Sequence, residues 1–146
     1  MNDHLKEFLR LLNSNQVEYV IIGAHALAFH GLPRYTEDVD VWLARTAENA
    51  DKLAKTLQEF GLPFPPGGKE AFLAEKRMIR LGFPPNRIDI LNFGPNIPFS
   101  EVWERRVEGH VDELTVPMIS REDFVRSKQD AGRPKDLRDL EELGDM

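Results

Sequence analysis

Cysteine is absent from the 146 residues. That excludes a disulfide framework and any thiolate metal site, and it fits a reducing compartment. Long apolar runs are missing too: none approaches the ~20 residues that a membrane-spanning helix needs. No basic-then-apolar leader opens the chain. We therefore expect a cytoplasmic protein with no membrane association. Positive charge is in short supply, with 19 Lys and Arg against 25 Asp and Glu and a formal net charge of −6. That weighs against a broad nucleic-acid-binding surface and leaves room only for a local cationic site. Tyrosine and tryptophan occur twice each. The remaining composition is that of an ordinary globular chain, with enough length for one domain spanning 1–146 and a sizeable core.

What is present centres on the stretch from Val20 to Leu43. An apolar strand, Val17 to Ile22, runs into Gly23, where a strand-to-helix turn fits, and a short Ala-rich helix follows with Gly31 as its stop. A second strand opens with Asp38 and Asp40. Strand residues two apart share a face, so the two carboxylates project together while Val39, Val41 and Leu43 project the other way. Adjacent carboxylates repel unless a cation lies between them, and a divalent ion is the usual solution.

A helix begins around Asp3 as N-cap, with Leu5, Phe8, Leu9 and Leu12 on one face. Another is capped by Thr46, carries Ala50, Leu53, Ala54 and Leu57, and ends at Gly61. Leu62 to Lys69 reads as a loop. Glu70 to Arg77 begins as a helix, Met78 to Phe83 and Arg87 to Leu91 read as strands, and Pro84-Pro85-Asn86 turns the chain between them. Glu101 to Val107 reads as a short helix and Glu113 to Ile119 as a strand. Ser120 caps a helix, with Glu122 and Asp123 in its first turn, and Pro134 opens a last one. The 120–146 segment is thus helical and packs on the rest. Strands crowd the middle of the chain too closely for strict alternation, so the expected class is α+β, a short mixed sheet flanked by helices.

Asp89 lies between Ile88 and Ile90 in a strand otherwise built for burial, and a buried acid needs a partner or a metal. If its strand neighbours that of Asp38 and Asp40, the three acids can gather around Mg²⁺ or Mn²⁺. Otherwise Asp89 pairs with Arg80 or Arg87. Backbone N–H groups at Gly23 and Ala24 can approach a phosphate. Arg34 and Thr36, just before the acids, could contact phosphate or pin the carboxylates. His25 and His30, on a short apolar helix, read as packed structural histidines. Lys128 could reach phosphate oxygens, with Asp136 orienting it or contacting a base or metal. As a plainer alternative, these residues form a solvated, ion-paired helix face.

The run Ile22-Gly-Ala-x-Ala-x3-His-Gly-x-x-Arg-x-Thr-x-Asp-Val-Asp40 resembles the motif of the DNA polymerase β-type nucleotidyltransferase superfamily, in particular its small bacterial members and the nucleotidyltransferase-type toxins of toxin–antitoxin systems. The tail from Ile119 through Lys128 and Gly132-Arg-Pro-Lys-Asp136 to Leu140 is similar to the closing segment of that group. The resemblance implies a sheet whose edge holds Mg²⁺ and an NTP. Asp38, Asp40 and Asp89 would be metal ligands and catalytic acids, Gly23 and Ala24 the phosphate turn, and Lys128 a phosphate contact. In the family that turn is commonly Gly-Gly or Gly-Ser, so Ala24 removes one hydroxyl hydrogen bond, worth roughly 1 kcal/mol. The implied activity moves an NMP to a hydroxyl of a protein, a tRNA or a small molecule. The competing expectations are an inactive module that binds nucleotide, a partner protein or a second copy of itself, and a metal-dependent phosphohydrolase.

Overall fold

The computed structural model describes residues 3–32, 38–82, 87–94 and 96–144. Arg34 and Thr36 lie outside them. The elements run α1 (Asp3–Ser14), β1 (Tyr19–Ile22), α2 (Gly23–Phe29), β2 (Val39–Leu43), α3 (Ala47–Phe60), α4 (Gly68–Ala74), β3 (Met78–Leu81), β4 (Ile88–Leu91), α5 (Phe99–Arg105), β5 (Val107–Val111), β6 (Leu114–Met118), α6 (Arg121–Ala131) and α7 (Pro134–Leu143). The strands form one mixed sheet in the order β3-β4-β2-β1-β6-β5. This is the expected α+β class. Among the described residues no helix is long and apolar enough to cross a membrane.

Register explains the two faces. Strands β1 and β2 are antiparallel, with Ile21 opposite Val41 and Ile22 opposite Asp40. Strands β2 and β4 are parallel, with Val41 opposite Ile90 and Asp40 opposite Asp89. Opposed residues share a face. One face therefore carries Tyr19, Ile21, Val39, Val41, Leu43, Ile88 and Ile90, all buried. Helices α1 and α3 lie against each other and present the buried Leu5, Phe8, Leu9, Leu12, Leu53 and Leu57 to the same core. Each such fully buried side chain contributes about 1.5–3 kcal/mol of transfer free energy. The opposite face carries Ile22, Asp40, Trp42, Asp89 and Arg80, and it holds two of the three candidate acids.

Helix ends follow local chemistry. Thr46 accepts a hydrogen bond from the Asn49 N–H at 3.2 Å, and Gly61 closes α3 in a left-handed conformation. Ser120 caps α6 as expected, accepting from the Asp123 N–H at 3.1 Å. Asp3 is not a cap: it is the first residue of α1, where its charge favours the helix dipole instead. The helix placed at Glu101 to Val107 runs two residues earlier, as α5. Strand β5 is absent from the sequence reading because Glu108, Gly109 and His110 show no apolar alternation. It is an edge strand held by pairing with β6. Gly109 is needed there, since a Cβ would come within 2.6 Å of the Met118 side chain.

Candidate active site

The parallel pairing of β2 with β4 sets Asp40 beside Asp89. Two residues before Asp40, Asp38 joins β2 to the start of β4: its Oδ1 accepts the Arg87 backbone N–H at 3.0 Å. Helix α2 springs directly from the end of β1, and that turn explains Gly23. Its φ is +70°, and an added Cβ would collide with the Asp40 carboxylate. Non-glycine residues in that conformation cost about 1–2 kcal/mol before any collision. Gly23→Ala is therefore expected to lower stability by roughly 2 kcal/mol and to displace Asp40. Urea unfolding curves that match those of the parent would show that this contact is dispensable.

A cleft of about 270 Å³ opens at this point. Gly23, Ala24, Asp38 and Asp40 form one side and Lys128, Arg133, Lys135 and Asp139, from α6, α7 and the link between them, form the other. Arg87 also lines it. An adjoining cavity of about 230 Å³ shares Gly23, Lys128 and Arg133 and has apolar walls of Ile22, Trp42, Ile119 and Phe124.

The acids differ in state. Burial pushes the Asp40 carboxyl up to about 6, and the neighbouring charges of Asp89 and Asp38 add to the rise while Arg87 opposes it. Asp89 has only 8 % of its side chain exposed and is held by two guanidinium groups, Arg80 Nε at 3.0 Å and Arg87 Nε at 3.4 Å. The pairing of Asp89 with Arg80 or Arg87, one of the two sequence expectations, is thus realised with both. Among the described residues no three acidic or histidine side chains converge tightly enough, as they stand, to enclose a metal ion. The donor set nonetheless fits a hard divalent cation. It offers carboxylate oxygens, and Asp89 lies close enough to Asp40 to raise the cost of ionising Asp40.

Across the cleft, Lys128 is aimed by buried acids. Its Nζ lies 3.2 Å from Asp136 Oδ1 and 3.5 Å from Asp139 Oδ2. Asp136, with a wholly buried side chain, also accepts from Arg133 Nε at 2.6 Å and Nη2 at 3.1 Å. The Arg133 and Lys128 hydrogen bonds hold the Asp136 carboxyl down at about 2. Asp136 therefore orients Lys128 from behind. Helix α6 is itself anchored by Asp123, which receives Arg105 Nε at 3.0 Å and Nη2 at 2.8 Å.

The structure thus brings Gly23, Ala24, Asp38, Asp40 and Lys128 to one cleft, with Asp89 beside Asp40 and Asp136 behind Lys128. Sequence reading assigns Arg133, Lys135 and Asp139 no role of their own beyond membership of the charged run from Arg133 to Asp139. The histidines stand apart from the acids: His30 Nε2 meets the Ile119 carbonyl at 2.8 Å, and His25 lines a separate cavity with His110 and Asp112.

A family model described as "Nucleotidyltransferase of unknown function (DUF6036)" matches residues 3–144. No curated protein matches the sequence. Three solved structures share the fold. The nucleotidyltransferase-type protein TM1012 from Thermotoga maritima has a TM-score of 0.61 at 15% identity, covering 94% of this chain and 88% of its own. The lincosamide antibiotic adenylyltransferase LnuA, solved with lincomycin bound, has a TM-score of 0.58 at 16% identity, covering 99% and 96%. The antibiotic-resistance factor ANT(2'')-Ia has a TM-score of 0.58 at 11% identity, covering 97% and 80%.

Proposed function

Because the chain belongs to the DUF6036 nucleotidyltransferase family, we propose that its cleft moves an NMP from an NTP to an acceptor hydroxyl, with Mg²⁺ or Mn²⁺ as cofactor. One observation carries the reading: the β2–β4 register sets Asp40 against Asp89 on the face that Lys128 reaches from α6. Acids alone would make an anion-repelling edge. Acids faced by Lys128, Arg133 and Lys135 across a 270 Å³ cleft suit a metal–triphosphate.

In this reading Asp38 and Asp40 hold the cation, and Asp89 contributes when its arginines yield an oxygen. The bound cation supplies charge neutralisation of the triphosphate and polarisation of the α-phosphate. Lys128 and Arg133 bind β- and γ-phosphate oxygens, and Lys135 adds a third positive charge at the rim. Gly23 lets the backbone approach closely, where a side chain would exclude both Asp40 and phosphate. The apolar walls of the adjoining cavity, Trp42 and Phe124 among them, suit the faces of a nucleobase. Asp89 accepts the hydroxyl proton as the acceptor oxygen bonds to the α-phosphorus and the bond to the β-phosphate bridge breaks, releasing pyrophosphate. We read residues 1–146 as one domain, with 120–146 closing the cleft.

The test is isothermal calorimetry with each NTP, with and without Mg²⁺, followed by transfer from α-labelled NTPs. Metal-dependent NTP binding and release of pyrophosphate are expected. Absence of NTP binding, or release of inorganic phosphate instead, would defeat the reading. The second reading, an inactive nucleotide-binding module, draws on the double arginine clasp of Asp89 and on Ala24. It requires NTP binding without transfer, unaffected by Asp89→Asn. A toxin's role in a toxin–antitoxin pair would appear as growth arrest on expression that Asp40→Asn relieves.

A pH dependence follows. Asp40 must ionise to hold a cation, and its carboxyl titrates near 6 in the metal-free protein. Metal–NTP affinity is expected to be flat above that value and to fall about tenfold per pH unit below it. Calorimetric titrations from about pH 5 to about pH 8 check this. An affinity that stays level to about pH 4.5 would remove Asp40 from the ligand set.

A further inference from the structure

Strand β5 ends the sheet, so one row of its backbone groups faces outward. The hairpin decides which row. Val111 and Leu114 flank the two-residue turn Asp112-Glu113. Residues flanking such a turn form a hydrogen-bonded pair, and bonded and non-bonded pairs alternate from there. Val107, Gly109 and Val111 therefore spend their N–H and C=O groups on β6, while those of Glu108 and His110 point away from the sheet. Two features agree with that phase. Pro117, which has no N–H to give, stands opposite Glu108. Opposite His110, the Thr115 carbonyl turns away from β5 to accept from Asn13 Nδ2 at 3.0 Å. Among the described residues no backbone hydrogen bond to another segment takes up Glu108 or His110.

The edge also lacks the usual protections, since β5 has no lysine, no proline and no bulge. Its side chains are self-complementary instead. Glu108 and His110 are both exposed and share one face. On the other face Val107 is 36 % and Phe29 43 % exposed. The edge of the Phe29 ring lies over Gly109, 3.2 Å from where a Cβ would stand.

We propose that β5 pairs antiparallel with β5 of a second copy of this chain, about a two-fold axis at Gly109, joining two six-stranded sheets into one. In that register Glu108 faces His110 of the second copy, Val107 faces Val111, and Gly109 faces itself. The Glu108–His110 pairs exchange the outward backbone hydrogen bonds, and each carboxylate accepts from the facing imidazole N–H. Moving the axis by one residue either way sets Glu108 against Glu108 or His110 against His110, so the charges select the axis. Both Phe29 rings then stand over it and lose exposed surface. A foreign strand would have to match this pattern residue by residue, whereas a second copy supplies it by symmetry. The inference is independent of the nucleotidyl-transfer reading.

Sedimentation equilibrium of the full chain from about 1 to about 100 µM tests it, a range suited to a small interface. A reversible monomer–dimer equilibrium is expected. Glu108→Lys leaves two donors facing each other and His110→Glu two carboxylates, and each should weaken dimerisation by at least about tenfold. Combining Glu108→Lys with His110→Glu restores opposite charges across the axis, and that variant should dimerise again. With no substitution at all, the backbone N–H groups of Glu108 and His110 should exchange hydrogen slowly in the dimer and fast in dilute monomer. A monomer at every concentration overturns the proposal. So does a dimer indifferent to both single substitutions, a double variant no tighter than the singles, or an open ladder of larger species.

Discussion

Asp40→Asn is expected to lower kcat/KM for nucleotidyl transfer by roughly a thousand-fold, since charge stabilisation by a held cation is worth several kcal/mol and each 1.36 kcal/mol is tenfold in rate. The same substitution should make the metal-free protein more stable. Asp40 is partly buried and its carboxyl is raised to about 6 from an ordinary value of 3.8. A carboxyl raised in the folded state binds its proton more tightly there than in the unfolded chain. Stability therefore falls as pH rises from about 4 through about 6 and stays lower above that. Asn carries no charge, so the penalty disappears at neutral pH. A melting temperature that rises with Asp40→Asn at pH near 8, alongside lost transfer, would mark the residue as kept for chemistry at a cost to folding. If the variant is both active and unchanged in stability, Asp40 is neither strained by its neighbours nor part of the machinery.

The second large effect is expected at Asp136, where the sign is reversed. Its carboxylate is wholly buried and satisfies Lys128, the Arg133 side chain and the Arg133 backbone N–H at 3.3 Å. Removing one partner of such a cluster strands Lys128, itself only 15 % exposed, beside Asp139 alone. Asp136→Ala is expected to cost about 3 kcal/mol, at the low end for a buried ion pair because Arg133 remains 69 % exposed and can return to water. For a chain of this length that is roughly a 10 °C fall in melting temperature. Since the Asp136 carboxyl is held at about 2, its contribution is present above about pH 4 and is lost as pH falls through that depressed value. Parent and variant should therefore converge in stability toward about pH 2, which thermal melts in low-salt acid would reveal. Equal melting temperatures at neutral pH would mean that α7 does not depend on this cluster.

The two acids also separate what could be read locally from what could not. Asp38 and Asp40 on one strand face, Gly23 at the turn before α2, Ser120 as the α6 cap and Pro134 opening α7 all follow from interactions within a few residues. Alternation, capping and backbone preference act over that range, so the sequence alone determined them, along with the α+β class and the absence of thiol chemistry. The edge strand β5 escaped because its stability comes from pairing with β6, not from its own Glu-Gly-His centre.

The site itself was a tertiary decision. Whether Asp89 would meet Asp40 or only an arginine depended on β4 docking parallel to β2 in one register, and a shift of one residue would have turned Asp89 to the core face. Both outcomes coexist, because Arg80 arrives from the antiparallel edge strand and Arg87 from the strand start. Lys128, 88 positions after Asp40 in the chain, reaches the acids only because Asp123 anchors α6 and Asp136 with Asp139 aims its ammonium. The sequence by itself supplied the carboxylates, the cations and the glycine. Which cation faces which acid was decided by strand order and helix docking, since electrostatic contacts between distant residues form only after the backbone has brought them within a few ångströms.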